Sequence, residues 1–262
     1  MADLTPLAEL MAALRDPETG CPWDLRQDHR SIAPWTLEET CELLSAIEAG
    51  DAGAVREELG DLLFHVVFHA RIAEEAGRFD IGEVIDGIVA KMRRRHPHVF
   101  DPQHEGPVDE AGLAEQWQHR KQQEKPAGGR VLDRIAPQLP ALARAQKLTA
   151  AASDYHFDWP AAGPVLDKLD EEIAELREAV AGGKREEIED ELGDVLFVAV
   201  NLARKLDLDA EAAMRRVNEK FIRRFQHVLE RMEQDQQHFS PEQLERMEGY
   251  WREAKQLEKA AS

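Results

Sequence analysis

The chain has 262 residues with 52 acidic against 33 basic side chains, a formal net charge of -19 and only 6% aromatic residues. This acidic balance argues against a broad nucleic-acid or membrane surface, and no apolar run approaches the roughly 20 residues needed to span a bilayer. Two cysteines without metal-ligand spacing and a start without a signal-peptide pattern predict a soluble cytoplasmic protein.

The first half of the chain is predicted to form amphipathic helices, because apolar residues recur at helical spacing without strand-like alternation. The segment KPAGGR, residues 125–130, is the best candidate for a connection to the second half. Before it, the periodic segments predict helices over residues 4–14, 34–48, 54–76, 81–95 and 109–124.

The second half repeats this organisation. Its first predicted helix runs over residues 164–180, with a proline at its start and Gly182–Gly183 just past its end, the usual asymmetry of helix termini. Further helices are predicted over residues 184–205 and 210–233, and a final one follows Ser240–Pro241.

The two halves are copies of one unit. The stretch LEETCELLSAIEAGDAGAVREELGDLLFHVVFHA from Leu37 aligns without a gap with DEEIAELREAVAGGKREEIEDELGDVLFVAVNLA from Asp170. The sequence therefore predicts an all-α fold of tandem duplicated helical units, the first over residues 1–125 and the second over residues 141–262, joined by a linker at residues 126–140.

Acidic residues recur at matching positions in the two copies. In the second copy, residues 172 and 175 share one helix face, and residues 191 and 194 share a face of the next helix. A helix pair joined by a short turn can bring these faces together, and Mg²⁺ would offset the repulsion. A solvated acidic face is the alternative, but a joint pattern that occurs twice favours metal binding. The predicted metal ligands are Glu172, Glu175, Glu191 and Asp194, with Glu39, Glu42, Glu58 and Asp61 in the first copy.

Basic residues recur on the third helix of each copy with spacing i, i+3, i+4. They suit phosphate recognition, and exposed surface ion pairs are the alternative interpretation. These residues are Lys220, Arg223 and Arg224, repeated as Lys91, Arg94 and Arg95.

Two histidines on the helix after Asp61 could suggest a metal site of another kind. His65 and His69 correspond to Val198 and Leu202 in the second copy, so the repeat does not support a metal site and favours a role at the edge of the core or on the surface. Trp23 and Trp159 lie in loops ahead of the acidic helices, and each either stacks on a nucleobase or closes the core below its loop.

The combination of EExxE with ELGDVLF, the two-copy layout, GCPWD, APWTLEET, RRHPHVF and NEKFIRRF resembles the MazG-type nucleoside triphosphate pyrophosphohydrolases over nearly the full length. The resemblance implies the all-α fold of that family and homodimers or larger oligomers built through a helical bundle. It also implies Mg²⁺-dependent cleavage of nucleoside triphosphates to nucleoside monophosphate and pyrophosphate, with Mn²⁺ as a substitute metal.

The resemblance also implies roles for single residues. The acids of the second copy correspond to the family's metal ligands, and the residues that correspond to its nucleotide contacts are Lys168, Lys220, Arg223, Arg224 and Trp251. Asn201 could extend the polar face of Asp194 towards substrate, and Glu171 is the candidate base that orients or deprotonates water.

We expect the second copy to perform most of the chemistry. It has Asn201 where the first copy has Phe68, and its hairpin turn adds Lys184 and Arg185, which favour the approach of a polyanion. A non-catalytic acidic scaffold and a narrow dUTPase-like hydrolase are the alternatives. Neither a nucleic acid nor a membrane is an expected partner.

Overall fold

The computed structural model describes residues 3–101, 109, 112–113 and 131–261, and these ranges contain helices and connecting loops without any strand. The predicted all-α class is confirmed. The chain divides into two compact units, Met1–Pro126 and Ala127–Ser262. Of the predicted linker at residues 126–140, the structure describes residues 131–140. The predicted boundaries of the two units therefore remain a prediction.

The first unit is built on a helix hairpin. Its helices are α1 (Thr5–Leu14), α2 (His29–Ala49), α3 (Ala52–Glu75), α4 (Ile81–Arg95) and the single turn α5 (Pro97–Phe100). Helices α2 and α3 pack along each other, and α1 and α4 pack against α3. The buried side chains at the centre of the unit are Met11, Ile32, Val67 and Phe68.

Local sequence determines where the hairpin helices begin and end. The Asp28 carboxylate accepts hydrogen bonds from the backbone N–H groups of Arg30 and Ser31, which closes a capping box at the start of α2. Gly50 ends that helix in the left-handed region at φ 70°, a conformation that costs glycine little. Asp51 then caps α3.

The predicted start of the second helix at residue 34 is wrong. Pro34 lies inside α2, because the capping box at Asp28 starts the helix more than a turn earlier. Proline lacks the N–H that would donate to the carbonyl of Arg30, so the helix lacks one internal hydrogen bond at this point.

The second unit repeats the hairpin. Its helices are α6 (Ala141–Ser153), α7 (Ala162–Gly182), α8 (Arg185–Lys205), α9 (Ala210–Gln234) and α10 (Leu244–Ala261). Helices α7 and α8 form the hairpin, α6 packs against α8 and α9, and α9 pairs with α10. Val228, Met232 and Tyr250 form the buried centre of the α9–α10 pair.

Helix α6 was not predicted, and it changes how the repeat is understood. It packs against α8 as α1 packs against α3, so a helix before the hairpin belongs to both units and is not an addition to the first. The predicted helix over residues 109–124 lies almost wholly outside the described residues. Within the described ranges, none of the helices combines the length and the apolar character required to cross a bilayer.

Candidate functional site

The α7–α8 hairpin brings acidic side chains of the second unit together. Carboxylate oxygens of Glu172 and Glu175 on α7 and of Glu191 on α8 lie within 4.8 Å of one another. Gly183 ends α7 at φ 72° and permits the short turn that aligns the two helices. Glu172 is only 6% exposed, which is unusual for a carboxylate without a nearby cation.

That cation is Lys168, one turn earlier on α7. Its Nζ lies 2.7 Å from Glu171 Oε1 and 2.7 Å from Glu172 Oε1. Hydrogen bonds to Glu171 and then to Glu172 raise the pKa of Lys168, so the ammonium stays charged. Lys168 therefore offsets part of the negative charge of the cluster.

The negative charge that Lys168 does not offset contributes to a raised pKa of Glu175. Partial desolvation raises the pKa of Glu175, Lys168 opposes that rise, and the carboxylates of Glu172 and Glu191 add to it. Asp194 is exposed on the next turn of α8 and lies outside the group whose oxygens converge. Three of the four predicted ligands of this copy are thus brought together.

The first unit has a similar but not identical cluster. Oxygens of Glu39, Glu58 and Asp61 lie within 4.8 Å of one another, and Glu42 lies outside this group. Desolvation raises the pKa of both Glu39 and Glu58, and neighbouring carboxylates add to it. At the position equivalent to Lys168, this copy has Trp35, which is 48% exposed, so no lysine offsets its acids from that position.

These raised pKa values predict how Mg²⁺ stabilises the protein at different pH. A carboxyl with a pKa above its ordinary value of 4.5 binds its proton more tightly in the folded state. Its contribution to stability is complete below the unfolded pKa and is lost as pH rises through the folded pKa. Mg²⁺ should replace that contribution, so we expect millimolar Mg²⁺ to raise the melting temperature more at pH 7 than at pH 5.

The control is a variant with every predicted ligand changed to its amide, which should show no Mg²⁺ shift at either pH. A shift in the wild type that is equal at the two pH values, or larger at pH 5, would contradict the interpretation of these clusters.

Four of the predicted nucleotide contacts, Lys220, Arg223, Arg224 and Trp251, lie on the α9–α10 pair, whereas Lys168 lies with the acids on the α7–α8 hairpin. Arg224 Nη2 lies 2.6 Å from Glu258 Oε2, and the Arg224 guanidinium lies 5.8 Å from the ring centre of Trp251. Arg223 Nη2 is 3.6 Å from Glu258 Oε1. A phosphate that binds these arginines must therefore compete with Glu258. Lys220 is half-buried on the same helix.

A cavity of about 340 Å³ opens beside α8 in the second unit, beyond the acids. Its aromatic lining comes from Phe157, Trp159 and Phe197, and Asn201, 3% exposed, contributes a polar group. Arg204 and Asp158, which no sequence motif marks, also line this cavity.

The first unit has a smaller cavity at the equivalent place. Its volume is about 180 Å³, and its lining includes Phe64, His65 and Phe68, the counterparts of Phe197, Val198 and Asn201. Phe68 is 1% exposed and is part of the core. The first unit therefore has a buried phenylalanine where the cavity of the second unit has an amide.

The histidines of the first unit form a hydrogen-bonded cluster at the edge of the core. Thr36 Oγ1 lies 3.2 Å from His65 Nδ1 and 3.2 Å from His69 Nε2, and His69 Nδ1 lies 3.0 Å from His29 Nδ1. Burial lowers the pKa of His65 and of His69, which favours the neutral rings. These contacts support a structural role for both residues.

Comparison with known proteins gives consistent matches over both units. The MazG nucleotide pyrophosphohydrolase domain matches residues 27–100 and 164–229, which include both acidic hairpins. The chain is 44% identical over 264 residues to a nucleoside triphosphate pyrophosphohydrolase of Escherichia coli, over 98% of this chain and 99% of that protein. It is 41% identical over 253 residues to the nucleoside triphosphate pyrophosphohydrolase/pyrophosphatase MazG of Thermotoga maritima, over 95% and 94% of the two chains.

Among solved structures, a crystal structure of a mazG-related protein from Thermotoga maritima covers 45% of this chain and 98% of that chain. The sequence identity is 24% and the TM-score is 0.38.

Proposed function

Because the chain belongs to the MazG nucleotide pyrophosphohydrolase family and is a hydrolase acting on acid anhydrides, we propose that it cleaves nucleoside triphosphates to nucleoside monophosphate and pyrophosphate. The reaction depends on Mg²⁺ and takes place mainly in the second unit. One observation carries this proposal: the second unit sets a charged lysine, Lys168, against its converging carboxylates, where the first unit has Trp35.

The donor set suits Mg²⁺. Glu172, Glu175 and Glu191 offer carboxylate oxygens within 4.8 Å of one another, and hard oxygen ligands are those that Mg²⁺ and Mn²⁺ prefer. Asp194, one turn along α8, is the proposed fourth ligand. Bound Mg²⁺ supplies positive charge that offsets the triphosphate and acidifies water. In the first unit Glu39, Glu42, Glu58 and Asp61 are the proposed ligands of a second metal site.

Lys168 and Glu171 have proposed roles around this metal site. The ammonium of Lys168 is held at 2.7 Å from Glu171 and from Glu172, so a cation is already oriented where phosphate oxygens approach the acids. Glu171 is the proposed base, and its side chain is 58% exposed, so water reaches it. To act as a base, Glu171 must exchange its hydrogen bond with Lys168 for one with water.

The basic set on α9 is proposed to bind the phosphates. Glu258 holds Arg224 in place through hydrogen bonds of 2.8 Å and 2.6 Å, and this pairing keeps the pKa of Glu258 below its usual range. Lys220 and Arg223 provide further positive charge on this helix, and Trp251 provides an aromatic face beside Arg224. These residues stabilise negative charge on the leaving pyrophosphate.

The basic residues of the hairpin turn are weaker support for placing the chemistry in the second unit than the sequence alone indicates. Lys184 pairs with Glu187 and Arg185 pairs with Glu189, each at 2.7 Å, and both basic side chains are largely exposed. Exposed pairs of this kind contribute little. Lys168 and Asn201 are the stronger reasons for placing the chemistry in the second unit.

A panel of triphosphates tests the proposal against its alternatives. Pyrophosphate release is measured with ATP, GTP, CTP, UTP and dUTP in excess Mg²⁺, and we expect release from several bases. Release from dUTP alone would favour a narrow dUTPase-like enzyme. Release from none of them would overturn the proposed activity and favour the acidic scaffold.

We also propose a homodimer or a larger oligomer. Leu192 and Leu196 on α8 and Phe221 and Ile222 on α9 are each more than a third exposed, and exposed apolar side chains of this kind often pack against a partner. We expect light scattering at micromolar concentration to give at least twice the chain mass of 29.6 kDa. The mass of a single chain would contradict this.

Apart from a second copy of the chain, the proposed partners are nucleoside triphosphates, and the proposed location is the cytoplasm. The net charge of -19 disfavours nucleic acid and anionic membranes as partners. The free thiols of Cys21 and Cys41 support a reducing compartment, which we propose to be the cytoplasm.

A further inference from the structure

The cavity of the second unit combines aromatic walls with a buried amide. Trp159 and Phe197 are half-exposed and Phe157, 81% exposed, lies at its mouth. Aromatic rings at such positions stack on flat heterocycles whatever their substituents. The cavity begins one turn beyond Asp194 on α8, so a ligand bound in it lies next to the proposed metal site.

The orientation of Asn201 follows from its partner. Arg204 donates two hydrogen bonds to Asn201 Oδ1, from Nε at 3.0 Å and from Nη2 at 2.7 Å. A guanidinium has only donors, so the oxygen of the amide must face Arg204 and the Nδ2 group must face away from it. Within the described residues the side-chain hydrogen bonds of Asn201 both go to Oδ1, which leaves the two N–H donors of Nδ2 directed beside the cavity.

Arg204 is itself held in place. Its Nη2 donates to Asp158 Oδ1 at 2.5 Å, and Lys205 Nζ donates to Asp158 Oδ2 at 2.5 Å. Burial raises the pKa of Asp158, but the hydrogen bonds from Arg204 and Lys205 outweigh it and hold that pKa below its usual range. Asp158 lies between Phe157 and Trp159 in the chain, so the loop that supplies the aromatic walls also anchors the amide.

We propose that this cavity binds the nucleoside end of the substrate, that Asn201 Nδ2 donates to a hydrogen-bond acceptor of that nucleoside, and that Asp158 and Arg204 are positioning residues for Asn201. This inference rests on the proposed function. It adds which part of the nucleoside the protein recognises, namely a hydrogen-bond acceptor. The Nδ2 group carries two N–H donors, and the contact of Oδ1 with Arg204 fixes the direction of both. Every natural base carries an acceptor at the same place, purine N3 or pyrimidine O2, and every sugar carries a 3′ oxygen. The cavity is therefore expected to accept all bases.

The first unit serves as an internal comparison. Phe68 takes the place of Asn201, and Arg71, the counterpart of Arg204, pairs instead with Glu74 and Glu75 at 3.1 Å and 3.0 Å. This copy lacks the directed donor in its smaller cavity. It is expected to contribute nothing to the recognition of the acceptor.

The test is the binding of nucleoside monophosphates, measured by NMR titration in millimolar Mg²⁺. The probes are AMP, 3-deaza-AMP without N3, 3′-deoxy-AMP without the sugar hydroxyl, and 7-deaza-AMP as the control analogue. The wild type should bind 3-deaza-AMP, 3′-deoxy-AMP or both about tenfold more weakly than AMP, the effect of one lost hydrogen bond, and should bind 7-deaza-AMP like AMP. The affected analogue shows whether the acceptor is on the base or on the sugar.

Variants then test the positioning roles. Asn201→Ala should bind AMP about tenfold more weakly and lose the discrimination between analogues. Arg204→Ala and Asp158→Ala should reduce the same discrimination, and Arg204→Lys, which still donates to Oδ1, should restore most of it. Arg71→Ala is the matched control in the first unit and should discriminate like the wild type.

Equal binding of all analogues by the wild type would overturn the inference even if no variant folds, as would weakened binding of 7-deaza-AMP alone. An Asn201→Ala protein that still discriminates like the wild type would also overturn it. If the Arg204→Ala and Asp158→Ala variants lose thermal stability but keep the discrimination, these two residues only stabilise the fold, and their proposed positioning role is wrong. Binding needs no turnover, so absent pyrophosphate release would overturn the proposed function separately.

Discussion

The change of Glu191 to glutamine is expected to lower kcat for triphosphate hydrolysis by about two orders of magnitude, because it removes a charged oxygen donor from the metal site. Glutamine keeps the size of the side chain, so the packing of α8 against α7 should be preserved. The oxygens of Glu191 lie within 4.8 Å of those of Glu172 and Glu175, which makes Glu191 the link between the two helices of the site. Initial rates at saturating Mg²⁺ and triphosphate measure the effect.

The matched control is Glu58→Gln, the same change at the equivalent position of the first unit. Desolvation and then the carboxylates around Glu58 raise its pKa, so loss of its charge relieves both penalties and should leave kcat within a few-fold of the wild type. An equal or larger loss in Glu58→Gln would show that the active copy is wrongly assigned, although a metal-dependent hydrolase would remain.

Removal of divalent cations with EDTA should reduce product formation to background, and added Mg²⁺ or Mn²⁺ should restore it. A triphosphate that approaches the acids of α7 and α8 meets a like charge that Lys168 offsets only in part, and this repulsion is strong at short range. The same rates are measured with EDTA and with EDTA already saturated with Mg²⁺, which controls for the chelator. Hydrolysis that continues unchanged in EDTA would contradict a metal-dependent mechanism.

Most of the helices could be predicted because their signals are local. Residues 81–95 form α4 as predicted, between an Asp80 capping box and a basic last turn. Pro34 misled the prediction because a proline marks a helix start only where no stronger cap precedes it, and Asp28 does. Helix α6 escaped prediction because residues 141–153 have no recognisable sequence similarity to α1, its structural counterpart, and no side-chain cap at their start.

The spacing of acidic residues in the sequence predicts only part of the candidate site. Periodicity places residues 172 and 175 on one face, but which acids converge depends on how the two helices of each hairpin pack. The structure accordingly leaves out Asp194 in one unit and Glu42 in the other. The contact between Asp158 and Arg204 joins residues 46 positions apart, and no local pattern predicts such a pair. Asn201 was predicted as a substrate contact, and its fixed orientation became visible only with its partner.

The central claim is that the second unit hydrolyses triphosphates to monophosphate and pyrophosphate. Phosphorus NMR of ATP and Mg²⁺ incubated with the wild type and with Glu191→Gln tests it most directly, because the signals of AMP, ADP, phosphate and pyrophosphate are separate. We predict AMP and pyrophosphate in equal amounts from the wild type and almost none from the variant. ADP with free phosphate, or the same products at the same rate from Glu191→Gln, would contradict the account.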